Sequence, residues 1–330
     1  VLLPLAHVFG RLSAWAAMWR GVEMIFPRSH HTLLDDLSET SPTIVPCVPL
    51  ILERLQNALI AEATGPSQLH QRGFQWAMAT AMEVSEVRQQ GRKARGLLAL
   101  REQLVERTTL GRIRARLGGR IRMLVSGGAP LSLELAEFYH ALGLLVLEGY
   151  GMTENTGAAT LNRPGSYKLG MVGQALPGVQ VRLAEDGEVM LSGANLMIGY
   201  HGSPKGTPTT TSTDGQGVRW LHTGDMGELD EEGFLRITDR KKDIIVTAGG
   251  KNVAPQNIEN HLRRDAMISQ VMVFGDNRPF LSALITLDEF KLRAWAQQKG
   301  IPWTTYADIS QQAEVYAHAE HIIERSNRAL

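Results

Sequence analysis

Residues 122–157 read RMLVSGGAPLSLELAEFYHALGLLVLEGYGMTENTG, and this order of runs constrains the fold more than anything else in the chain. A short apolar strand enters a Gly-Gly turn. LELAEFYHAL then has helical period, and LLVL is a second apolar strand ending in another glycine-rich loop. Strand, helix and strand in this sequence is α/β grammar. Ligands of open α/β sheets bind where loops leave the carboxyl ends of strands, so the two glycine loops point at one crevice.

The flanking sequence fits around that unit. Residues 30–64 alternate Pro-punctuated apolar runs with LILERLQNALIAEA, a strand followed by a helix. Residues 65–122 are helical in period and carry more Arg and Lys than Asp and Glu, a helical insertion at about 65–120. After residue 165 the chain becomes β-rich: VQVRLAEDGEVMLSG turns at Asp186-Gly187 and MGELDEEGFLRITD at Glu232-Gly233, two hairpins that suggest a small barrel or curled sheet. From Arg240 onward, RKKDIIVTAGGKNVAPQNIENHLR passes from a charge cluster to strand, glycine turn and helix. The expected organisation is therefore an α/β portion over 1–164, a small β-barrel subdomain over 165–239, and an α+β module over 240–330.

Composition narrows the partners. Thirty-four basic and thirty-four acidic side chains cancel, so no global field argues for nucleic acid. Any electrostatic signal must be local, and the basic 65–122 segment suggests peripheral contact with anionic lipid at a membrane surface. A single cysteine, Cys47, within the apolar IVPCVPLIL, rules out an internal disulfide framework, suits a reducing cytoplasm and reads as buried and inert. No apolar run reaches the roughly 18 residues of a spanning helix.

Two stretches invite a phosphate. HGSPKGTPTTTSTDGQG (201–217) has the composition of a phosphate loop, but Lys205 precedes Gly206 and the G-x-x-x-x-G-K-[ST] order is missing; it reads as turn chemistry on the surface. EGYGMTENTG (148–157) is the better candidate. Gly149 and Gly151 let the backbone approach a ligand, Tyr150 offers a flat face, and Thr153 a hydroxyl. Glu154 offers the hard oxygen that Mg²⁺ takes alongside substrate phosphates.

Six segments occur in order: PLAHVFG (4–10), SGGAP (126–130), GYGMTE (149–154), HTGD (222–225), DRKKDII (239–245) and TAGGKNVAPQNIE (247–259). Together they resemble the acyl-adenylate-forming, AMP-binding superfamily. EGYGMTE, RKKDIIVTAGGKNVAP and the helical insertion bring the chain nearest to long-chain fatty-acid CoA ligases. The resemblance implies an α/β fold, a large adenylation domain of sheet layers plus a small barrel, followed by a mobile α+β C-terminal domain. It implies a ligase that joins a fatty acid to ATP, giving acyl-AMP and pyrophosphate, and then to CoA, with Mg²⁺ required.

By the same resemblance, Glu154 holds Mg²⁺, Thr153 bonds the α-phosphate, Tyr150 stacks on adenine next to Gly151, and Gly128 and Ala129 line the purine edge. Asp225 and Arg240 take the ribose, and His7 sits by the acyl entrance. Lys242 marks the hinge of the C-terminal domain, and Gly250 leaves room for the pantetheine arm. The family's Ser/Thr/Gly-rich phosphate loop and its late catalytic lysine find no match, so these 330 residues are expected to be a fragment with little turnover of their own. Two other functions fit part of the pattern: an acyl-AMP ligase that loads a carrier protein, and a non-catalytic nucleotide-binding or membrane-associated remnant.

Overall fold

The computed structural model describes residues 2–29, 32–64, 68–202, 210–263, 265 and 267–328; for Asn257, Phe290 and Gln298 it describes the backbone alone. The chain forms two compact units. One comprises residues 1–223 and 227–237, the other 224–226 and 238–330.

The α/β part contains α1 (Val8–Trp19), α2 (Leu33–Thr40), β1 (Ile44–Cys47), α3 (Pro49–Thr64), α4 (Gln68–Gln89) and α5 (Leu97–Val105). A π-helical turn (Glu106–Leu110) leads into α6 (Gly111–Arg116). Then come β2 (Met123–Ser126), α7 (Leu133–Ala141), β3 (Leu145–Met152), a 3-10 turn (Thr153–Asn155), β4 (Gly157–Leu161) and β5 (Gln174–Ala175). The sheet order is β1-β2-β3-β4-β5; β1, β2 and β3 are parallel, and β3 to β5 are antiparallel. The βαβ unit of the sequence is thus β2-α7-β3. Its helix starts where Ser132 Oγ accepts the Leu135 N–H at 3.2 Å, closing one of the orphan donors of the first turn.

One apolar cluster holds this part together. It takes Val45 and Cys47 from β1, Leu52 and Leu55 from α3, Leu124 from β2, and the fully buried Tyr139 from α7. The Tyr139 hydroxyl donates to the Leu52 carbonyl at 2.7 Å, so the large ring leaves no unpaired polar tip in the core. Burial pushes the Cys47 thiol up to about 12, which keeps it unreactive as the sequence indicated.

The helical insertion contributes to the core. Phe74, Ala77 and Ala81 of α4, Val105, Leu110 and Ile113 all enter the main cluster. Arg88–Glu102 and Arg101–Glu83 pairs lace α4 to α5, and Arg114 pairs with Glu106 across the π-turn. A buried polar relay adds a further tie: His140 of α7 bonds Ser85 of α4 at 2.6 Å and the Tyr167 hydroxyl at 2.9 Å. Burial, aided by Arg88, lowers the His140 pKa, so the ring bridges as a neutral imidazole.

Both predicted hairpins form. β6 (Val179–Leu183) and β7 (Glu188–Gly193) pair in register across Asp186-Gly187, and β9 (Arg219–Leu229) turns into β10 (Leu235–Arg240) across Glu232-Gly233, with β8 (Thr211–Thr213) added at the side of β9. Among the described residues the pairing runs β10-β9-β7-β6, a curled sheet with β8 off the main path. The curled sheet's own cluster contains Val189, Leu191, Leu221 and Leu235.

The second unit continues with β11 (Ile245–Val246), β12 (Asn252–Val253), α8 (Pro255–Leu262), β13 (Ile268–Phe274), β14 (Ser282–Leu287), α9 (Glu289–Lys299), α10 (Tyr306–Ser310) and α11 (Ala313–Asn327). β11–β12 and β13–β14 are antiparallel hairpins, and Met267, Leu292, Ala296, Ile309 and Val315 pack among the last three helices. Asp288 caps α9 by accepting the Lys291 N–H, and Gly300, at φ 69°, ends it in the left-handed conformation. Among the described residues no helix is long and apolar enough to cross a membrane.

Candidate active site

The parallel register sets Ser126 beside Glu148, so the loops SGGAP and GYGMTE leave neighbouring strands at the same edge of the sheet. Their backbones approach one another closely. A Cβ added at Gly127 would lie 3.1 Å from the Gly149 carbonyl oxygen and 3.6 Å from the Phe9 ring. At Gly128, where φ is +81°, a Cβ would come within 4.0 Å of His7 Cε1 and 3.9 Å of Val48. The opening PLAHVFG segment therefore meets the SGGAP loop, which in turn meets GYGMTE at Gly149, so three of the six motifs gather in one place.

His7 has a local duty as well: its Nδ1 accepts the Phe9 N–H at 3.2 Å and caps α1, while the ring stays exposed next to Gly128. Gly128 and Ala129 are both exposed on their turn. Tyr150 is half-buried, part of its ring packing against the apolar cluster of the curled sheet.

Beyond Tyr150 the β3–β4 hairpin shifts register and tightens around the turn 153–156. A Cβ at Gly151 would sit 1.6 Å from the Gly157 carbonyl oxygen, so no other residue fits there. Asn155 Oδ1 accepts the Met152 N–H at 2.6 Å, and Thr156 takes a positive φ of 62° to close the turn. Thr153 is exposed at its start.

Segment 195–200, after β7, laces onto this turn. Thr156 Oγ1 donates to the Asn195 carbonyl (2.8 Å), and Asn195 Nδ2 to the Asn155 carbonyl (3.0 Å). The Met197 N–H donates to the Glu154 carbonyl (2.7 Å), and the Tyr200 hydroxyl to Glu154 Oε1 (2.8 Å). Glu154 is thus a half-buried carboxylate with one oxygen oriented by Tyr200. The described residues contain no cluster of three or more metal-ligating side chains. A single oriented carboxylate with a neighbouring hydroxyl suits Mg²⁺ shared with substrate phosphates, which needs one or two protein carboxylates, and not a cage built by protein alone.

Glu148 is a feature that the reading of the sequence passed over. It is buried, its Oε1 accepts the Leu131 N–H at 3.2 Å, and its main-chain carbonyl accepts the Asn162 N–H at 2.9 Å. It therefore ties the far end of the SGGAP loop to β3. Burial pushes its carboxyl up to about 8, partly offset by the Leu131 bond. The only signal in the sequence was an acid closing the apolar run LLVLE.

A pH prediction follows for Glu148. Below the ordinary value of 4.5 both folded and unfolded states hold the proton, and above about 8 neither does. Between them the unfolded chain releases the proton first, so stability falls as pH rises, by about 1.4 kcal/mol per unit. Glu148→Gln keeps an acceptor for Leu131 and removes the titration. Its melting temperature should gain on that of the unaltered chain steadily from pH 5 to 8; parallel pH curves for the two would refute the assignment.

The remaining predicted residues belong to the second unit. Asp225 is buried, and Arg240 Nε lies 3.6 Å from its Oδ1 while the guanidinium remains exposed. The Lys241 N–H donates to the Gly224 carbonyl, which fixes the segment after Arg240 beside the HTGD turn. Lys242 is exposed on the turn 241–243. Gly250 has φ +77°, and its N–H donates to the Thr247 carbonyl at 2.8 Å. An added Cβ there meets nothing within 4 Å, so the local reason for glycine is the left-handed backbone.

Of the threonine-rich stretch, residues 203–209, including Lys205 and Gly206, lie outside the described residues. The rest is structural: Thr211–Thr213 forms β8, and Asp214 Oδ1 accepts the Gln216 and Val218 N–H groups in a side-chain-stabilised turn.

Comparison with known families places the chain. The description of AMP-binding enzymes matches residues 1–201, and that of the AMP-binding enzyme C-terminal domain matches residues 242–328. The chain belongs to the AMP-binding enzyme family.

Among AMP-binding enzymes it is 38% identical to the Mycobacterium bovis protein named long-chain-fatty-acid–CoA ligase FadD15, over 100% of this chain and 54% of that protein. It is 35% identical to human long-chain-fatty-acid–CoA ligase 6, over 93% of this chain and 44% of that one. The chain thus spans about half the length of the curated relatives it matches. Among solved structures, o-succinylbenzoate CoA synthetase from Bacillus subtilis, bound to its acyl-adenylate intermediate, shares the fold with a TM-score of 0.59. That match, at 22% identity, covers 93% of this chain and 54% of that one.

Proposed function

We propose that this chain carries the adenylate-binding part of a ligase that activates a long-chain fatty acid and transfers it to CoA. The observation that carries the reading is the meeting of PLAHVFG, SGGAP and GYGMTE at Gly127, Gly128 and Gly149, in a chain whose relatives are named long-chain-fatty-acid–CoA ligases.

In the first step a carboxylate oxygen of the fatty acid attacks the α-phosphorus of ATP, and the bond to pyrophosphate breaks. In the second, the CoA thiol sulfur attacks the acyl carbonyl, AMP leaves and the thiol proton is released. The first step brings an anion up to a polyanion, so positioning and charge neutralisation dominate the catalysis. Mg²⁺ bound with ATP supplies neutralising charge, and Glu154 would hold it. Thr153, exposed at the head of the turn, would donate to the α-phosphate.

Tyr150 would lay the face of its ring on adenine, with Gly151 beneath it and the Gly128–Ala129 backbone along the purine edge. Asp225 would accept from the ribose hydroxyls and Arg240 would donate to them, giving up its present ion pair with Asp225. His7, beside Gly128, would face the acyl entrance. Lys242 would serve as the hinge and Gly250 as the open place for the pantetheine arm.

The test is binding, which does not depend on turnover by these 330 residues. A non-hydrolysable palmitoyl-adenylate analogue should bind at least about 100-fold more tightly than AMP, since burying four methylenes at about 0.8 kcal/mol each suffices. An acetyl analogue should gain far less. Equal affinities for the palmitoyl analogue and AMP would refute the long-chain reading, and no binding of either would refute the adenylate site.

A further inference from the structure

Helix α5 is built against the usual pattern. Leu97, Leu100 and Leu104, spaced three and four apart on one face, are 73%, 64% and 53% exposed, whereas Val105 alone of this helix is fully buried. A solvated surface helix places Glu, Lys or Gln at such positions; three outward leucines a turn apart form a continuous apolar ridge.

The ridge lies in a basic stretch of the sequence, part of it neutralised: Arg116, for one, pairs with Asp35 and Glu62. Residues 65–122 hold twelve basic side chains against four acidic ones, on a chain that is neutral overall. Three of the four acids are already paired, Glu83 with Arg101, Glu102 with Arg88 and Glu106 with Arg114. Arg92, Lys93 and Arg95, exposed on the turn that leads into α5, and Arg107, just after it, make no ion pair among the described residues. At one edge of the ridge the Arg101 guanidinium stands 5.8 Å over the ring of the part-exposed Trp76. Outward leucines flanked by unneutralised cations are the composition of a helix that lies in a lipid interface, apolar side in the acyl boundary and cations at the headgroups.

We infer that α5 and the turn before it form the docking face of this protein for an anionic membrane surface, with Leu97, Leu100 and Leu104 inserted and Arg92, Lys93, Arg95 and Arg107 on the lipid phosphates. The charge complementarity selects this occupant: a second copy of the chain would bring the same cations against themselves. The inference is independent of the ligase reading, because neither the ridge nor its test involves the nucleotide site.

The 330-residue chain should co-sediment with vesicles of equimolar phosphatidylcholine and phosphatidylglycerol at low salt. It should bind pure phosphatidylcholine weakly, and added salt should release it. The triple variant L97Q/L100Q/L104Q, changed only at exposed positions, should lose at least about thirtyfold in partitioning with an unchanged circular dichroism spectrum. The charge-reversal variant R92E/K93E/R95E should lose binding to anionic vesicles alone. In Leu100→Trp, bromine-labelled lipid should quench the new indole. Failure of the chain to bind anionic vesicles at low salt overturns the inference, as does equal binding by the triple leucine variant. A dimer in light scattering that the leucine variant dissolves, without vesicle binding, would assign the ridge to self-association instead.

Discussion

Gly151→Ala is expected to remove nucleotide binding altogether and to destabilise the first unit by at least about 3 kcal/mol, the upper range for overpacking. The added methyl would stand 1.6 Å from the Gly157 carbonyl oxygen, and that atom is main chain in the partner strand of a hairpin. No side-chain rotation relieves it; β3 and β4 must separate around the turn that presents Thr153 and Glu154. Gly250→Ala supplies the contrast, because its Cβ meets open space and only the left-handed backbone resists, for about 1 kcal/mol. Chemical unfolding with AMP-analogue titration checks both. A Gly151→Ala chain that binds the analogue normally would show that the hairpin is not part of the site.

Glu154→Gln should abolish the Mg²⁺ dependence of ATP affinity. The amide is the same shape and can still accept from Tyr200, so the turn should keep its fold while losing the charge that a hard cation needs. Calorimetric titration of ATP with Mg²⁺ and with chelator reads the effect. The unaltered chain should bind ATP at least about tenfold more tightly with the metal, whereas the variant should give the same affinity in both conditions. If the variant retained the full metal effect, Glu154 would not be the ligand.

Much of the fold could be read from local pattern. The β2-α7-β3 unit shows in run lengths and glycine turns, and the hairpins at Asp186-Gly187 and Glu232-Gly233 in turn residues between alternating strands. Those signals lie within a few residues of one another, so sequence displays them directly. What stayed hidden depends on distant neighbours. Glu148 is an ordinary acid until Leu131 and the neighbouring strands bury it.

Tyr200 is 46 positions from the carboxylate it orients, and nothing in residues 197–200, MIGY, announces that contact. Helical period identified the insertion, but it could not tell that Phe74 and Ile113 enter the core while Leu97, Leu100 and Leu104 of the same insertion face outward. His7 was legible as a candidate and illegible as a cap, since both depend on where α1 begins.

The four hydrogen bonds between segment 195–200 and the turn 153–156 have a thermodynamic consequence. Two stretches joined so closely are coupled, so a ligand that steadies Glu154 should also steady the Met197 amide. Exchange of that amide proton with solvent then serves as a built-in gauge of site occupancy, readable without labelling the nucleotide or following turnover.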